Sequence, residues 1–503
     1  NTNLATWDGE LYLEMHRGTF TTKSNLKKAN RTLEFKLRET ELRAALASLT
    51  GTSYPSEELT ECYKKFLLNQ FHDILPGSHI HPVYEDAMND YRSVSERLDA
   101  MLALTAGNEY FNSLNFTRSS ITFIEDENGA ITRHGVKGFW SIPTLAGLST
   151  GTVAALPSKE NWLSTEFCDK CDCLVLETPY YRAKLSSDGS FVSLYDKELD
   201  REWVKEGCGF NKLHLYADNP GVYDAWDILP NYKDVQVALN VDKPLALVSS
   251  DGSSAEFAVT FTTEKSTWKM ILRFFADSRA IEVENVVDWD EKHKLVKVNF
   301  GPDVLTRELV CDTSAGFVKR DLTKNTSWQQ ARFEVCHHKW CDMSESGSGI
   351  AIINEGKYGV GLEKDEISLS LLRATIRPDI TSDIGHHDFC YTILPHSGDA
   401  VEAQVNKTAI EYNVPLCKSN VTVPAALRDT LNNCGLYLQA MKRSEDGQYL
   451  ILRLSEQDGR RGKIAFPFEV QTMNLIEDIE GSTKVVSYHP FELITVAVKP
   501  EDL

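Results

Sequence analysis

His72 and Asp73 stand side by side in the stretch "NQFHDILPGSHIHP", and their chemistry is the most versatile in the chain. An imidazole can ligate a metal through one ring nitrogen, and a carboxylate beside it can accept hydrogen bonds from substrate hydroxyls. They follow the helical pattern "SEELTECYKKFLL", which buries Leu59, Phe66 and Leu67. The spacing therefore predicts a helix that carries Gln70, His72 and Asp73 in its last turns and stops at Pro76-Gly77. On that helix His72 lies beside Leu68 and Leu75, while Asp73 points toward Asn69 and Gln70. A single histidine makes no zinc site, and a satisfied histidine at a helix end is the commoner outcome.

Other clusters compete for attention. "CDKCDC" (Cys168, Cys171, Cys173) has a C-x-x-C core, and "CHHKWC" (Cys336, His337, His338, Cys341) mixes thiols with imidazoles. A structural zinc needs a closed shell of four ligands, and strand neighbours such as 336/337 face opposite sides, so incidental cysteines are the expectation at both. "YDAWDI" places Asp224, Trp226 and Asp227 in a turn-rich stretch, where an aromatic beside carboxylates suits a sugar's apolar face and hydroxyl rim. "HRGTF" offers His16 and Arg17 after a strand-like run. "SLLRATIRPDITSDIGHHDF" places Arg373 at a strand end, with Asp383, His386 and His387 downstream. Taken singly, each reads first as a surface loop or a strand-end ion pair.

The elements that must position these residues fall into two textures. Residues 24–108 are helical in pattern. Ser24–Leu49 aligns Phe35, Leu42, Leu46 and Leu49 on one stripe; Ser56 is the expected N-cap of a second helix with Glu57 and Glu58 in its first turn; a third repeats apolar residues from Val83 to Leu102 and ends at Gly107. Three helices with short connections predict a bundle. From about residue 109 the chain reads as short alternating strands separated by Gly, Asp, Asn and Ser turns, "SSDGS" being a hairpin signal. Such length exceeds one ordinary sandwich, and "YNVPLCKSNVTVPAA" is read as a linker near Pro415. The expected fold is thus α+β and multidomain. Residues 1–23 lead into a three-helix bundle (24–108), followed by a large antiparallel β-sandwich (109–414) and a small terminal β domain (415–503).

The 503 residues carry 42% hydrophobic side chains and a net charge of −20. That charge argues against nucleic acid, whose phosphates call for a basic patch. No apolar run approaches the ~20 residues of a membrane helix. The opening "NTNLATWDGELYLEM" lacks a signal-peptide pattern and is expected to begin a fragment or a processed chain. Eleven scattered cysteines fit free thiols in a reducing, cytoplasmic setting. The five N-x-[S/T] sequons, at Asn30, Asn115, Asn325, Asn406 and Asn420, do not by themselves imply secretion.

The longer motifs resemble one family. "FLLNQFHDILPGSHI" is similar to the bundle motif of the family 38 α-mannosidases, in particular the cytosolic and vacuolar branch. "TWDGELYLEMHRGTFTTKSNLKKANR" resembles that branch's run from catalytic domain into bundle. "NTSWQQARFEVCHHKWCDMSESGSGIAIINEGKYG", "LSLLRATIRPD" and "HDFCYTILPHSG" resemble its C-terminal β domain, a sandwich of the galactose-mutarotase-like kind, and the likeness covers essentially all of the chain.

This resemblance implies that His72 is one of four protein ligands to an active-site zinc (or cobalt), and that Asp73 contacts the sugar. It implies that His16 and Arg17 line the rim of the sugar site, and that Arg373 reaches the same pocket. The family's remaining metal ligands and its aspartate nucleophile belong to an N-terminal α/β domain with no counterpart in this sequence. Retaining glycosidases need two carboxyl groups about 5–5.5 Å apart, and no such catalytic pair is assigned here. The expectation is the C-terminal part of a metal-dependent retaining α-mannosidase, inactive alone and poor at holding zinc. Its expected partners are a mannose-containing oligosaccharide and the missing N-terminal domain; homo-oligomerisation stays open. Two other readings remain: a non-catalytic carbohydrate-binding module, and a sugar epimerase with its own acid/base pair in a β cleft.

Overall fold

Three helices lead the architecture of the computed structural model, which describes residues 4–503, so Asn1, Thr2 and Asn3 of the expected 1–23 segment lie outside it. They are α1 (Ser24–Ser48), α2 (Ser56–Leu68) and α3 (His81–Ala103). The first half of α1 packs Leu26, Leu33 and Leu37 against Leu59, Cys62 and Phe66 of α2 and Ala87, Tyr91, Val94 and Leu98 of α3. Farther along, Leu42, Ala45 and Leu46 enter a different core, with Leu438, Met441, Leu452 and Val496 of the terminal sheet. Because α1 is covered on several sides, Lys27, Arg31, Glu39, Glu41 and Arg43 are buried along it, an unusual load of charge for one helix.

The N-terminus of α1 has no side-chain cap of its own. Asp383 supplies one from the sandwich: its carboxylate accepts the backbone N–H of Lys23 at 2.6 Å and of Ser24 at 2.7 Å. A negative charge there satisfies orphan donors and complements the helix dipole.

The end of α2 differs from expectation. The helix stops at Leu68, and residues 69–77 form tight turns. The Asn69 side chain donates to the Lys65 carbonyl at 2.9 Å, and the Gln70 and Phe71 amides bond three residues back. Farther on, Gly77 takes a positive φ of 88°, and a Cβ there would lie 2.7 Å from the Thr22 carbonyl oxygen. The close approach of this turn to the start of α1 bends the chain away from the helix axis before His72 is reached. The start of α2 also shifts, with Pro55 rather than Ser56 at the N-cap.

Two antiparallel sheets of eleven and nine strands form the sandwich. Phe191, Phe210, Phe300 and Leu369 of the larger sheet meet Phe257, Trp268, Phe274 and Tyr391 of the smaller in one core. Aromatic edges cross between the sheets, Phe300 to Tyr391 at 5.8 Å and Phe191 to Phe274 at 6.3 Å. Two three-stranded sheets precede the sandwich. In one of them Glu109–Asn112 pairs with both Ser149–Gly151 and Cys417–Ser419. The stretch read as a linker near Pro415 therefore contributes a strand, anchored by buried Val414 and Leu416. The terminal five-stranded sheet runs from Tyr437 to Val498 and packs on α1. Among the described residues, no helix is long and apolar enough to cross a membrane.

Candidate functional site

The turns after α2 put His72 and Asp73 at the surface. The His72 side chain is 76% exposed, and its Nε2 lies 3.4 Å from Asp73 Oδ2. The Phe71 ring sits 4.2 Å from the imidazole, and Ser78 Oγ donates to Asp73 Oδ1 at 3.0 Å. The mount beneath them is fixed by α1. Lys27 Nζ donates to the carbonyls of Leu75 at 2.9 Å and Pro76 at 3.1 Å, as well as to Thr22. Burial of that ammonium pushes Lys27 down to about 7. The Gln70 amide donates to Asn30 Oδ1, which also receives the Tyr91 hydroxyl at 3.0 Å. Leu67, Leu68, Phe71 and Ile80 leave an exposed apolar collar around the pair.

These residues offer one imidazole and one carboxylate. A structural or catalytic zinc takes at least three protein ligands, and among the described residues no cluster of three donors includes His72. Taken alone, the pair does not fit a zinc ion.

A second constellation gathers His16, Arg17 and Arg373. His16 is exposed in a left-handed conformation (φ 65°), whereas Arg17 is buried. Its Nε donates to the Tyr12 hydroxyl at 3.2 Å and its Nη2 to the Ala331 carbonyl at 2.8 Å, with the guanidinium 4.5 Å above the Phe333 ring. Gly18 N–H donates to the Trp226 carbonyl at 2.8 Å. Arg373 is 1% exposed; its Nε donates to Asp218 Oδ2 at 2.6 Å, its Nη2 to the Asp227 carbonyl and its Nη1 to Thr22 Oγ1. Asp224 is fully buried as well, taking the Ile376 N–H at 2.6 Å and lying 3.1 Å from His293 Nε2. The structure thus brings "HRGTF", "YDAWDI" and the end of "SLLRA" together. Each guanidinium nitrogen of both arginines donates to a protein acceptor, and the groups that reach the surface are His16, Tyr223 and the half-buried Trp226 and Asp227.

The remaining sequence candidates have structural partners. Asp383 caps α1, and His387 links the Asp383 carbonyl (2.8 Å) to the Asn25 side chain (3.1 Å). His386 is exposed beside Asp288. His337 is fully buried with Nε2 2.9 Å from the Asn354 amide, and burial holds it down at about 3. Cys168 and Cys173 face each other across a hairpin, and all eleven cysteines are unpaired. Three sequon asparagines, Asn30, Asn115 and Asn406, are buried and hydrogen-bonded, which closes them to glycosylation in the folded chain.

One group was invisible in the sequence. His134, Glu355 and Cys390 bring three donor atoms together, a cluster capable of coordinating a metal ion. His134 and Glu355 lie 221 positions apart, so no spacing motif could have announced them.

Residues 14–107 match the alpha mannosidase middle domain, residues 176–381 the glycosyl hydrolases family 38 C-terminal domain, and residues 435–496 the family 38 C-terminal beta sandwich domain. The chain is 31% identical to Alpha-mannosidase 2C1 of Homo sapiens over 483 residues, 91% of this chain and 46% of that protein. It is 31% identical to Alpha-mannosidase of Saccharomyces cerevisiae, covering 82% of this chain and 38% of that one. The chain thus spans less than half the length of these relatives. An alpha-mannosidase from Enterococcus faecalis V583 shares the fold, with a TM-score of 0.73 at 13% identity over 96% of this chain and 68% of the other. By these matches the chain is homologous to the middle and C-terminal domains of the glycosyl hydrolase family 38 α-mannosidases, and it belongs to that family.

Proposed function

We propose that this chain is the C-terminal portion of a metal-dependent retaining α-mannosidase acting on terminal α-mannosides of oligosaccharides. The observation that carries the reading is the His72–Asp73 turn. An imidazole and a carboxylate stand at the surface, on a mount fixed from below by Lys27 and Asn30, in a chain of this family. A rigid, exposed pair short of internal partners is what a site completed by another element requires.

In this reading His72 contributes one ligand to a zinc or cobalt ion whose other ligands come from residues outside this sequence. The bound ion would supply positive charge to orient sugar hydroxyls. Asp73 accepts a hydrogen bond from a mannose hydroxyl, with Ser78 holding its other oxygen in place. His16 lies on the rim. Arg17 and Arg373 act as positioning residues that lock the rim segments to the sandwich, their donors being committed internally. Nucleophile and acid/base carboxyls belong to the N-terminal domain, which seats on the apolar collar of Leu67, Leu68, Phe71 and Ile80. We place the protein in the cytoplasm, in agreement with eleven unpaired cysteines.

The test is an aryl-α-mannoside assay of this chain and of its full reading frame, each with added zinc or cobalt. Activity is expected only from the longer chain. There, His72→Ala should lose activity that excess metal partly restores. Asp73→Asn should lose about 1.5–3 kcal/mol of transition-state binding that metal does not restore. Full activity in both variants would remove the assignment.

A further inference from the structure

The cluster of His134, Glu355 and Cys390 is remote in kind from the turn just described, sharing no residue or element with it. His134 occupies the tip of the hairpin formed by Ile131–Arg133 and Val136–Ser141, with a positive φ of 50°. That tip is inserted against the smaller sheet of the sandwich, where Ile281–Trp289 and Gly385–Ser397 run side by side. His134 Nε2 lies 3.1 Å from Glu355 Oε2 and 3.3 Å from Cys390 Sγ, and Cys390 Sγ lies 3.2 Å from Glu282 Oε1. Cys390 is fully buried and Glu282 nearly so. We propose that His134, Glu355 and Cys390 form a three-ligand site for a divalent transition cation of the zinc class.

The donor separations carry the first part of the case. In a tetrahedral shell with bonds of about 2.0–2.3 Å to N, O and S, ligand atoms sit about 3.3–3.6 Å apart. The separations of 3.1 and 3.3 Å from His134 Nε2 fall just inside that spacing, so these donors need to spread by only a few tenths of an ångström. The donor set is also the right kind. Imidazole and thiolate favour zinc-like ions over magnesium or calcium, which prefer oxygen alone.

The electrostatics supply an independent argument. Five carboxylates converge on the cluster: Glu256, Glu282, Glu284, Glu355 and Asp388. Three fixed cations answer them directly, Arg133, Arg273 and Lys28. The carboxylates thus outnumber the fixed cations in a largely buried place, where a divalent ion would add positive charge. The remaining contacts orient the ligands. His134 Nδ1 lies 3.0 Å from Asp388 Oδ2, and the second Glu355 oxygen is held by Arg133. Carboxylates behind a ligating imidazole and cations behind a ligating carboxylate fix such groups in metal sites. Binding would displace the Cys390 thiol proton and any proton on His134 Nε2 to solvent, with no change of oxidation state. Its effect would be to pin the hairpin tip to the sandwich beside α1, since Asp388 is also bonded to Lys28.

The test uses the whole chain, with Cys168 and Cys171 replaced by Ser to remove surface thiols, stripped with chelator and titrated with cobalt(II). The expected result is one equivalent bound, with thiolate-to-cobalt charge-transfer absorption in the near ultraviolet and tetrahedral bands in the visible, displaced by zinc. Cys390→Ser should lose the charge-transfer band, Glu355→Gln should bind at least tenfold more weakly, and His72→Ala should change neither. Zinc should also raise the melting temperature of the stripped parent chain, a readout that needs no core variant to fold. Absence of the charge-transfer band, its survival in Cys390→Ser, or an unchanged melting temperature would overturn the site and leave His134 as a buried imidazolium between carboxylates.

Discussion

The turn bearing His72 and the junction bearing Arg373 come from motifs of equal promise, yet the fold treats them in opposite ways. At the turn, the imidazole is 76% exposed, and among the described residues its charged partner is Asp73. At the junction, a guanidinium 1% exposed spends its donors on Asp218, Asp227 and Thr22. Both places hold a cation-forming residue beside carboxylates. What separates them is satisfaction: a buried arginine with every guanidinium nitrogen bonded is part of the frame, and a surface imidazole on a braced loop is available to a ligand.

Four measurements break or sharpen that contrast. The largest effect is expected from Arg373→Met, which leaves Asp218 and Asp224 buried without their cation and should cost about 3–5 kcal/mol in urea unfolding of this chain. A loss below about 1 kcal/mol would show the junction to be looser than its hydrogen bonds imply. Gly18→Ala follows. The new Cβ would sit 2.6 Å from Arg373 Nη1 and 3.0 Å from the Asp227 carbonyl, and overpacking against so constrained a partner should cost about 1–3 kcal/mol.

The third concerns the mount of the turn. Lys27 loses its proton at about 7 when folded but, by its ordinary value, only near about 10.4 when unfolded. Between those limits the unfolded chain binds more protons, so this lysine makes stability rise with pH. Wild type should gain about 1 kcal/mol per pH unit over Lys27→Met between about pH 7.5 and 8.5. Lys357 is also pushed down to about 7, by burial first and in smaller part by the Lys27 charge, so its contribution cancels only in part between the two chains. Parallel stability profiles for the two proteins would contradict a buried, neutral-leaning Lys27. The smallest effect belongs to His72→Ala, which should alter stability by no more than about 0.5 kcal/mol, because an exposed side chain braces nothing. A larger loss would make the turn a second frame element and erase the contrast.

Much of the architecture was legible from local pattern. Heptad-like apolar spacing in residues 24–102 needs a bundle partner, and alternation after residue 109 needs a sheet, whatever the neighbours are. Failures occurred where a distant contact overrode a local rule. The helical periodicity through Gln70 and His72 was overruled by the tight packing of Gly77 on Thr22 and by Lys27 drawing in the Leu75 and Pro76 carbonyls. The polar, proline-bearing stretch at Pro415 looked like a linker until Cys417–Ser419 found an edge to pair with at Glu109–Asn112.

The residue types at the site were set by the sequence: an imidazole, a carboxylate and two guanidiniums in recognisable motifs, and enough apolar periodicity to build bundle and sandwich. Tertiary structure decided which of them are free. Asp383 and His387 read in the sequence as part of a loop or strand-end ion pair, and in the fold they hold the N-terminus of α1. His134, Glu355 and Cys390 formed no motif, yet they converge. Burial and hydrogen-bond satisfaction depend on groups hundreds of positions apart, and chemistry depends on burial and satisfaction. Local sequence can name a functional group, but only the folded chain determines whether that group is spent on its own structure or left to meet a ligand.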